Sequence, residues 1–279
     1  MINIECLQKA CDELKLPYAI LDKNSDFIRI DLNKPQYFVQ AKTPFNNDAL
    51  SCISEDKEFT YLSLKDELNI PKTKGYLDPD CDDKFVNYLE KSSDSLDNVT
   101  KDILEEFNLP VIVKMNRGYA GNNVFLCNDA EKIKKSLGEI YNKKSSKYNH
   151  IAIAQEMVDI EKEYRAIYFK GKIILLYDKF YDYDEGMGKR ENLSPLHNKD
   201  AKAILVEDKE ILNKIQNFVD QSNSLKNIQF SGLDIAVDKN GKIHLLELNS
   251  HPGFSYFVRD NGEEKLVEMY KILLEDLRK

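Results

Sequence analysis

Apolar residues recur along this chain in two periods, and the changes of period mark its elements. Ile4, Leu7, Cys11 and Leu14 fall three or four apart over residues 2–16, which predicts a helix that Pro17 ends. Short alternating runs at 18–21, 27–32 and 36–40 predict strands. Ser54, followed by Glu55 and Asp56, reads as the cap of a helix whose stripe is Phe59, Leu62 and Leu68, up to Pro71. Residues 72–110 are polar, with two short helix candidates and a surface loop at SSDSLDN.

The pattern then shifts towards strands. VIVKM (111–115) and 124–127 flank a Gly/Asn loop, and Asp129 caps a helix bearing Ile133, Leu137 and Ile140. Strands are expected at 150–157, 163–169 and 172–178. The polar stretch 181–206, with Gly186, Gly188 and Pro195, reads as a mobile loop. Asp208 opens a helix, strands follow at 229–237 and 242–248, and Leu266, Met269, Leu273 and Leu277 line a final helix. There are no internal repeats. The order is α+β with many antiparallel pairs and lacks regular βαβ alternation.

Four patches carry candidate chemistry. In the last pair of strands, Asn240-Gly241 signals a tight turn. A two-residue loop there places Asp234 opposite Glu247, with Asn249 on the same face. Facing carboxylates among Leu233, Ile235, Leu246 and Leu248 repel each other. Mg²⁺ shared with phosphates would relieve that conflict; a solvated acidic face is the plainer alternative. In VIVKMNRGYAGNNV, a strand delivers Lys114 into a loop with Arg117, Gly118 and Gly121. Such a loop either cradles phosphates or is a simple hairpin turn. Gln155 and Glu156 end an apolar strand before Met157 and Val158, and Glu163 and Arg165 share a face of the next strand, as a site or a surface pair. Lys57 lies in a helix first turn, where the macrodipole disfavours a cation. It either answers to a ligand or is an ordinary exposed lysine.

Composition narrows the classes. Forty basic against 48 acidic residues give a net charge of −8, which argues against nucleic acid as a partner. A few converging cations could still reverse the field around a small anion. The five cysteines have no metal spacing and read as reduced thiols. No apolar run approaches the ~20 residues of a membrane span, and the opening residues lack a secretory pattern. The expectation is a cytoplasmic protein of two or three lobes across its 279 residues.

Together the patches resemble the ATP-grasp family. The order is a helix lysine, a glycine-loop strand with lysine, a QE-containing hinge, and a paired-acid strand ending ExN and PG. SGLDIAVDKNGKIHLLELNSHPG and DKFYDYDEG resemble D-alanine–D-alanine ligase, the former also glutathione synthetase. NSDFIRI, AKTPFN and EDKEFTYLSL are more similar to bifunctional glutathione synthetases and cyanophycin synthetases. The resemblance implies an ATP-grasp fold with a short N-terminal lobe (1–75), a central lid (76–157) and a C-terminal antiparallel-sheet lobe (158–279). ATP would be held by Lys57, Lys114, the Arg117–Asn123 loop, Gln155, Glu156, Val158 and Glu163. Asp234, Glu247 and Asn249 would bind two Mg²⁺ ions, or Mn²⁺. Arg165 and one of Lys179, Lys189 or Arg190 would stabilise the transferring phosphoryl group. Ser255, Tyr256 and Arg259 would hold the second substrate. The implied activity joins a carboxylate to an amine of amino-acid or peptide type through an acyl phosphate, and homo-oligomers are common among such proteins. A small-molecule kinase and a non-catalytic nucleotide sensor are the rival expectations.

Overall fold

A computed structural model describes residues 2–82, 94–118, 123–181, 196 and 201–279. The first helix, α1 (Ile2–Leu14), buries Ile4, Leu7, Ala10 and Cys11 along one stripe. Lys15 adopts φ 53° and the amide of Leu16 returns to the Cys11 carbonyl at 2.9 Å, so the helix closes before Pro17. Strands β1 (Tyr18–Ile20), β2 (Phe27–Ile30) and β3 (Gln36–Val39) form an antiparallel meander. Ile28, Ile30 and Phe38 point into the core, while Tyr37 and Val39 alternate outward.

The single helix expected after Ser54 is two helices, α2 (Asp48–Glu55) and α3 (Lys57–Leu64). Asn47 caps the first by accepting from the Leu50 amide, and Asp56 caps the second by accepting from Phe59. Ser54 is no cap: it is buried in the last turn of α2 and its hydroxyl donates to the Leu50 carbonyl at 2.9 Å. The expected stripe is also displaced. Phe59 and Leu62 are exposed, and the buried face is Thr60 and Leu64, with Leu68 beyond.

A four-stranded antiparallel sheet follows, in the order β4 (Thr73–Leu77), β7 (Ile151–Glu156), β5 (Val111–Met115), β6 (Val124–Cys127). Helices α4 (Leu96–Glu106) and α5 (Ala130–Ile140) contribute Val99, Ile103, Ile133, Leu137 and Ile140 to its core. The described end of the SSDSLDN stretch opens α4, where Ser95 is the cap and accepts from the Asn98 amide. Residues 83–93 lie outside the described residues. Glu58 on α3 accepts from the Gly75 amide at 2.7 Å, which ties this sheet to the helix.

The largest sheet has five antiparallel strands, in the order β10 (Lys202–Leu205), β9 (Lys172–Phe180), β8 (Ile160–Phe169), β11 (Phe230–Asp238), β12 (Ile243–Asn249). Most of the 181–206 loop reading lies outside the described residues, but its end is β10. That strand is held partly by side chains of α7 (Ser255–Asn261), which local sequence does not reveal. Asp260 accepts from the Ala203 amide at 2.8 Å, and Asn261 exchanges bonds with Leu205 and Ala203. At the other edge, Asn69 accepts from the Leu245 amide and donates to the Ile243 carbonyl.

The sheet separates two cores. One packs Ile167, Phe169 and Tyr177 against α1 and α8 (Glu264–Leu277). The other packs Tyr164, Ala166 and Leu176 against Ile215, Phe218 and Val219 of α6 (Lys209–Val219). Among the described residues no helix is long and apolar enough to cross a membrane.

Glu67, beyond α3, fixes this helical segment to the turn after α6. Its carboxylate accepts from the hydroxyls of Ser222 and Ser224 and from the Ser224 amide. The Ser222 and Ser224 donors hold its carboxyl down to about 2. A depressed acid contributes stability that is full above its unfolded value, near 4.5, and is lost as pH falls towards 2. Glu67→Gln should therefore lower stability at neutral pH and flatten the acid limb. Urea midpoints measured from pH 7 to pH 2 check this; parallel wild-type and variant curves would refute it.

Candidate active site

The β11–β12 hairpin sets the geometry, and it does so by a different turn from the expected one. Three residues, Lys239–Gly241, form the loop, with the Gly241 amide donating to the Asp238 carbonyl at 2.8 Å and Gly241 at φ 76°. The Asp238 carboxylate braces the turn by accepting from the amides of Asn240 and Lys242. The wider loop shifts the pairing by one residue, so Ile235 faces Leu245. A bulge at Leu246 shifts it back, and Asp234 faces Glu247 with Gly232 opposite Asn249. The two displacements cancel, and the acids still share one face.

Strands β8 and β9 bring cations to Asp234. Arg165 is its cross-strand neighbour, and the guanidinium grips both carboxylate oxygens, with Nη2 to Oδ2 at 3.0 Å. Lys179 Nζ lies 2.8 Å from Asp234 Oδ2 and 2.6 Å from Glu163 Oε1. Gly232 makes room for this arrangement: a Cβ there would come within 3.3 Å of the Arg165 side chain and 3.1 Å of Pro252. Burial alone would raise the Asp234 carboxyl, but Arg165 and Lys179 outweigh it and hold the group well below the carboxylate range. Burial pushes Glu163 up despite its Lys179 partner. Lys179 lies above its ordinary value, since Asp234 and Glu163 together overcome its burial.

Glu247 meets a second pair of cations. Lys57 Nζ lies 3.5 Å from Glu247 Oε2 and Lys114 Nζ lies 3.9 Å from the same oxygen. Burial, opposed by Glu247 and aided by Lys57, lowers Lys114 to about 8. Lys57 also donates to the carbonyls of Asn116 and Gly118, at 3.3 and 3.1 Å. The Asn116 amide bridges Asp56 and the Glu58 N–H, and Arg117 pairs with Asp56 at 3.3 Å. The loop after β5 is thus laced to the capping turn of α3.

A cavity of about 750 Å³ opens over this row of charge. Of the residues expected in the site, Lys57, Arg117, Gly118, Arg165 and Lys179 line it, as do Asp234, Glu247, Asn249, Ser255 and Tyr256. Lys114 and Glu163 adjoin it through Glu247 and Lys179. Four expected residues lie apart. Gln155 is buried and its amide donates to Thr73 Oγ1 at 2.8 Å; Glu156 is exposed at the end of β7; Val158 follows it in the connection to β8. Arg259 points away on α7, where Asp260 and the Ala201 carbonyl hold its guanidinium. Gly121, Lys189 and Arg190 lie outside the described residues. Lys42, Glu55, Tyr177 and His251 also line the cavity. Lys42 and Glu55 stand inside stretches that carry the resemblance and Tyr177 stands two residues before Lys179, but nothing in their local pattern marks these side chains for a cavity. His251 stood two residues beyond Asn249, whose side chain accepts its amide.

Asp234, Glu247 and Asn249 supply two carboxylates and an amide oxygen on one face, a donor set that fits a hard divalent cation. Among the described residues no three His, Cys, Asp or Glu gather as a metal cluster, and the third oxygen of this set is an amide.

A family model described as YheC/D-like ATP-grasp matches residues 187–277. The D-alanine–D-alanine ligase from Bacillus anthracis has a similar structure, at 17% identity over 83% of this chain and 68% of that one, with TM-score 0.55. A bifunctional glutathione synthetase from Pasteurella multocida aligns with 98% of this chain and 43% of its own length, at 12% identity and TM-score 0.54. The ligase PsnB, complexed with precursor peptide PsnA2 and AMPPNP, aligns at 16% identity over 84% and 63%, with TM-score 0.52. No curated protein matches the sequence. The chain spans between under half and about two thirds of these relatives, and the likeness is one of fold.

The buried quartet is balanced, two acids against two cations, so removing one charge strands another. Asp234→Asn should cost about 3–5 kcal/mol in urea denaturation. Glu247→Gln, at a side chain 28% exposed, should cost under about 1 kcal/mol. Equal losses for both would contradict the assigned burial.

Proposed function

We propose that this chain, an ATP-grasp protein by its fold, uses ATP to activate a carboxylate and joins it to an amine, releasing ADP and phosphate. The observation that carries the reading is the row of charge inside one cavity. Two acids of the β11–β12 hairpin face four cations delivered by α3, β5, β8 and β9. An acidic chain needs such a local concentration of cations to hold a polyphosphate.

The residue roles follow from position. Lys57, Lys114 and Arg117 would meet phosphate oxygens, with Gly118 at the base of the loop allowing close backbone approach. Asp234, Glu247 and Asn249 would hold Mg²⁺. A metal held there would supply positive charge that offsets the charge developing on the transferring group. Arg165 and Lys179 would steady the phosphoryl group as it moves to the substrate carboxylate. The Gln155–Val158 connection, which joins the two larger sheets, is the proposed rest for adenine. The three-lobe division at 75 and 157 belongs to this reading, with ATP between lid and C-terminal lobe. A PsnB structure contains Mg and ADP, which supports the pairing of metal and nucleotide.

Attack by an amine on an acyl phosphate forms the amide and expels phosphate. This needs no covalent enzyme nucleophile, in keeping with a cavity that presents cations and oxygen donors. A screen of amino acids, dipeptides and dicarboxylates for ADP release tests the reading. Hydroxylamine should divert the intermediate to a hydroxamate. ADP release with a stable phosphorylated product and no hydroxamate would make the protein a kinase. Glu247→Gln should lower turnover about 100-fold or more; unchanged Mg·ATP turnover would remove the metal assignment.

A further inference from the structure

Asp56 is buried, 3% exposed, between two residues of the cavity wall, Glu55 and Lys57. Its role as the cap of α3 uses one oxygen, Oδ1, which accepts from the Phe59 amide at 3.0 Å. Serine or asparagine caps a helix as well, so the cap does not require a charge. A buried acid beside a site for polyphosphate also repels the ligand. The second oxygen gives the acid a purpose. Oδ2 accepts from Asn116 Nδ2 at 2.8 Å and from Arg117 Nε at 3.3 Å.

Arg117 needs such a partner. Its side chain is 52% exposed and lines the cavity. The backbone beneath it is held without Asp56. Lys57 donates to the carbonyls on either side, those of Asn116 and Gly118, and Asn149 Nδ2 donates to the Arg117 carbonyl at 2.9 Å. The Asn116 amide donates to the Ile151 carbonyl at 3.1 Å. The Arg117 side chain is fixed separately, Nε by Asp56 and Nη2 by Cys52 Sγ at 3.0 Å. Each contact takes one of the five N–H groups of a guanidinium. An arginine held in this way has already lost much of the rotamer freedom that binding an anion would otherwise cost.

We propose that Asp56 is a positioning residue for the triphosphate: its buried carboxylate holds the Arg117 guanidinium at the cavity wall and touches no ligand itself. This role rests on the nucleotide part of the ligase reading and is independent of which carboxylate and amine are joined. It gives Asp56 two separable duties. One is structural, the hydrogen bonds with Phe59 and Asn116. The other is electrostatic and reaches the nucleotide through Arg117. A structural loss spreads over every ligand of the cavity, whereas a loss through Arg117 falls on the phosphates.

The test is calorimetric titration of the full chain with adenosine, Mg·ADP and Mg·AMPPNP, with urea midpoints measured alongside. Asp56→Asn keeps the cap but sets an amide N–H against the donors of Asn116 and Arg117. It should lower the urea midpoint and weaken Mg·AMPPNP about tenfold, as for loss of a charged hydrogen bond, with adenosine within about twofold. In the exchange variant Asp56→Asn/Asn116→Asp, donor and acceptor of that pair trade places, and the moved carboxylate still accepts from the Glu58 amide as the Asn116 side chain does. The pair is restored, but an N–H still faces Arg117 Nε. The urea midpoint should return towards wild type while Mg·AMPPNP binding stays weak. Added to Arg117→Gln, Asp56→Asn should weaken Mg·AMPPNP by less than about a further twofold. Recovery of Mg·AMPPNP affinity together with stability in the exchange variant would overturn the positioning role and spare the nucleotide reading. So would equal weakening of adenosine, or additive losses with Arg117→Gln. Failure of the wild-type chain to bind any Mg nucleotide would overturn both.

Discussion

Asp234 is a carboxylate buried in the middle of a five-stranded sheet, and the surrounding structure answers to that fact. An unpaired charge there would be untenable. The cost is met by placing Arg165 directly across the ladder and Lys179 one strand further on. Each solution creates a further demand. Lys179 brings in Glu163, and Arg165 with Pro252 crowds any side chain at position 232. The result is a nearly neutral plate beside which Lys57, Lys114 and the more exposed Glu247 are arranged. The division suits a site that must keep its shape while its outer charges change partners.

Legibility in the sequence followed the range of the interactions. Helix α1, strand β5 and the cap at Asp129 depend on neighbours a few residues away, and periodicity located them. The facing of Asp234 and Glu247 was also read, though by a route the structure does not take. The loop is one residue longer and a bulge at Leu246 restores the register. Ser54 shows where local reasoning failed. Serine before two acids looks like a cap, but Asp56 two residues later outcompetes it, because its carboxylate serves the Phe59 amide and the Asn116–Arg117 loop together. No pattern within ten residues could report that loop. Lys42 and Glu55 lie in stretches that carried the resemblance, yet their place on the cavity wall emerges only through folding.

The lacing of α3 to the loop after β5 makes the two lobes interdependent. Asp56, Lys57 and Glu58 are consecutive, and each holds a different part of the four-stranded sheet region: the Asn116 side chain, the Asn116 and Gly118 carbonyls, and the Gly75 amide. Lys57, which we propose meets phosphate, is therefore also a strut of the four-stranded sheet region. The seating of that sheet and the local positive charge both depend on the same turn of helix.

The edges of the large sheet have a consequence of another kind. An open strand edge is a template for another strand, and proteins that leave one exposed risk fusing into continuous sheets. Here the β10 edge is filled by Asp260 and Asn261, and the β12 edge by Asn69, so amides and carbonyls that could recruit a neighbour are already spent. Copies of this chain have no ready way to join by adding strands at these positions. Assembly at these two edges therefore falls to side-chain surfaces, whose fit can be tuned residue by residue, and not to the generic stickiness of an unpaired backbone.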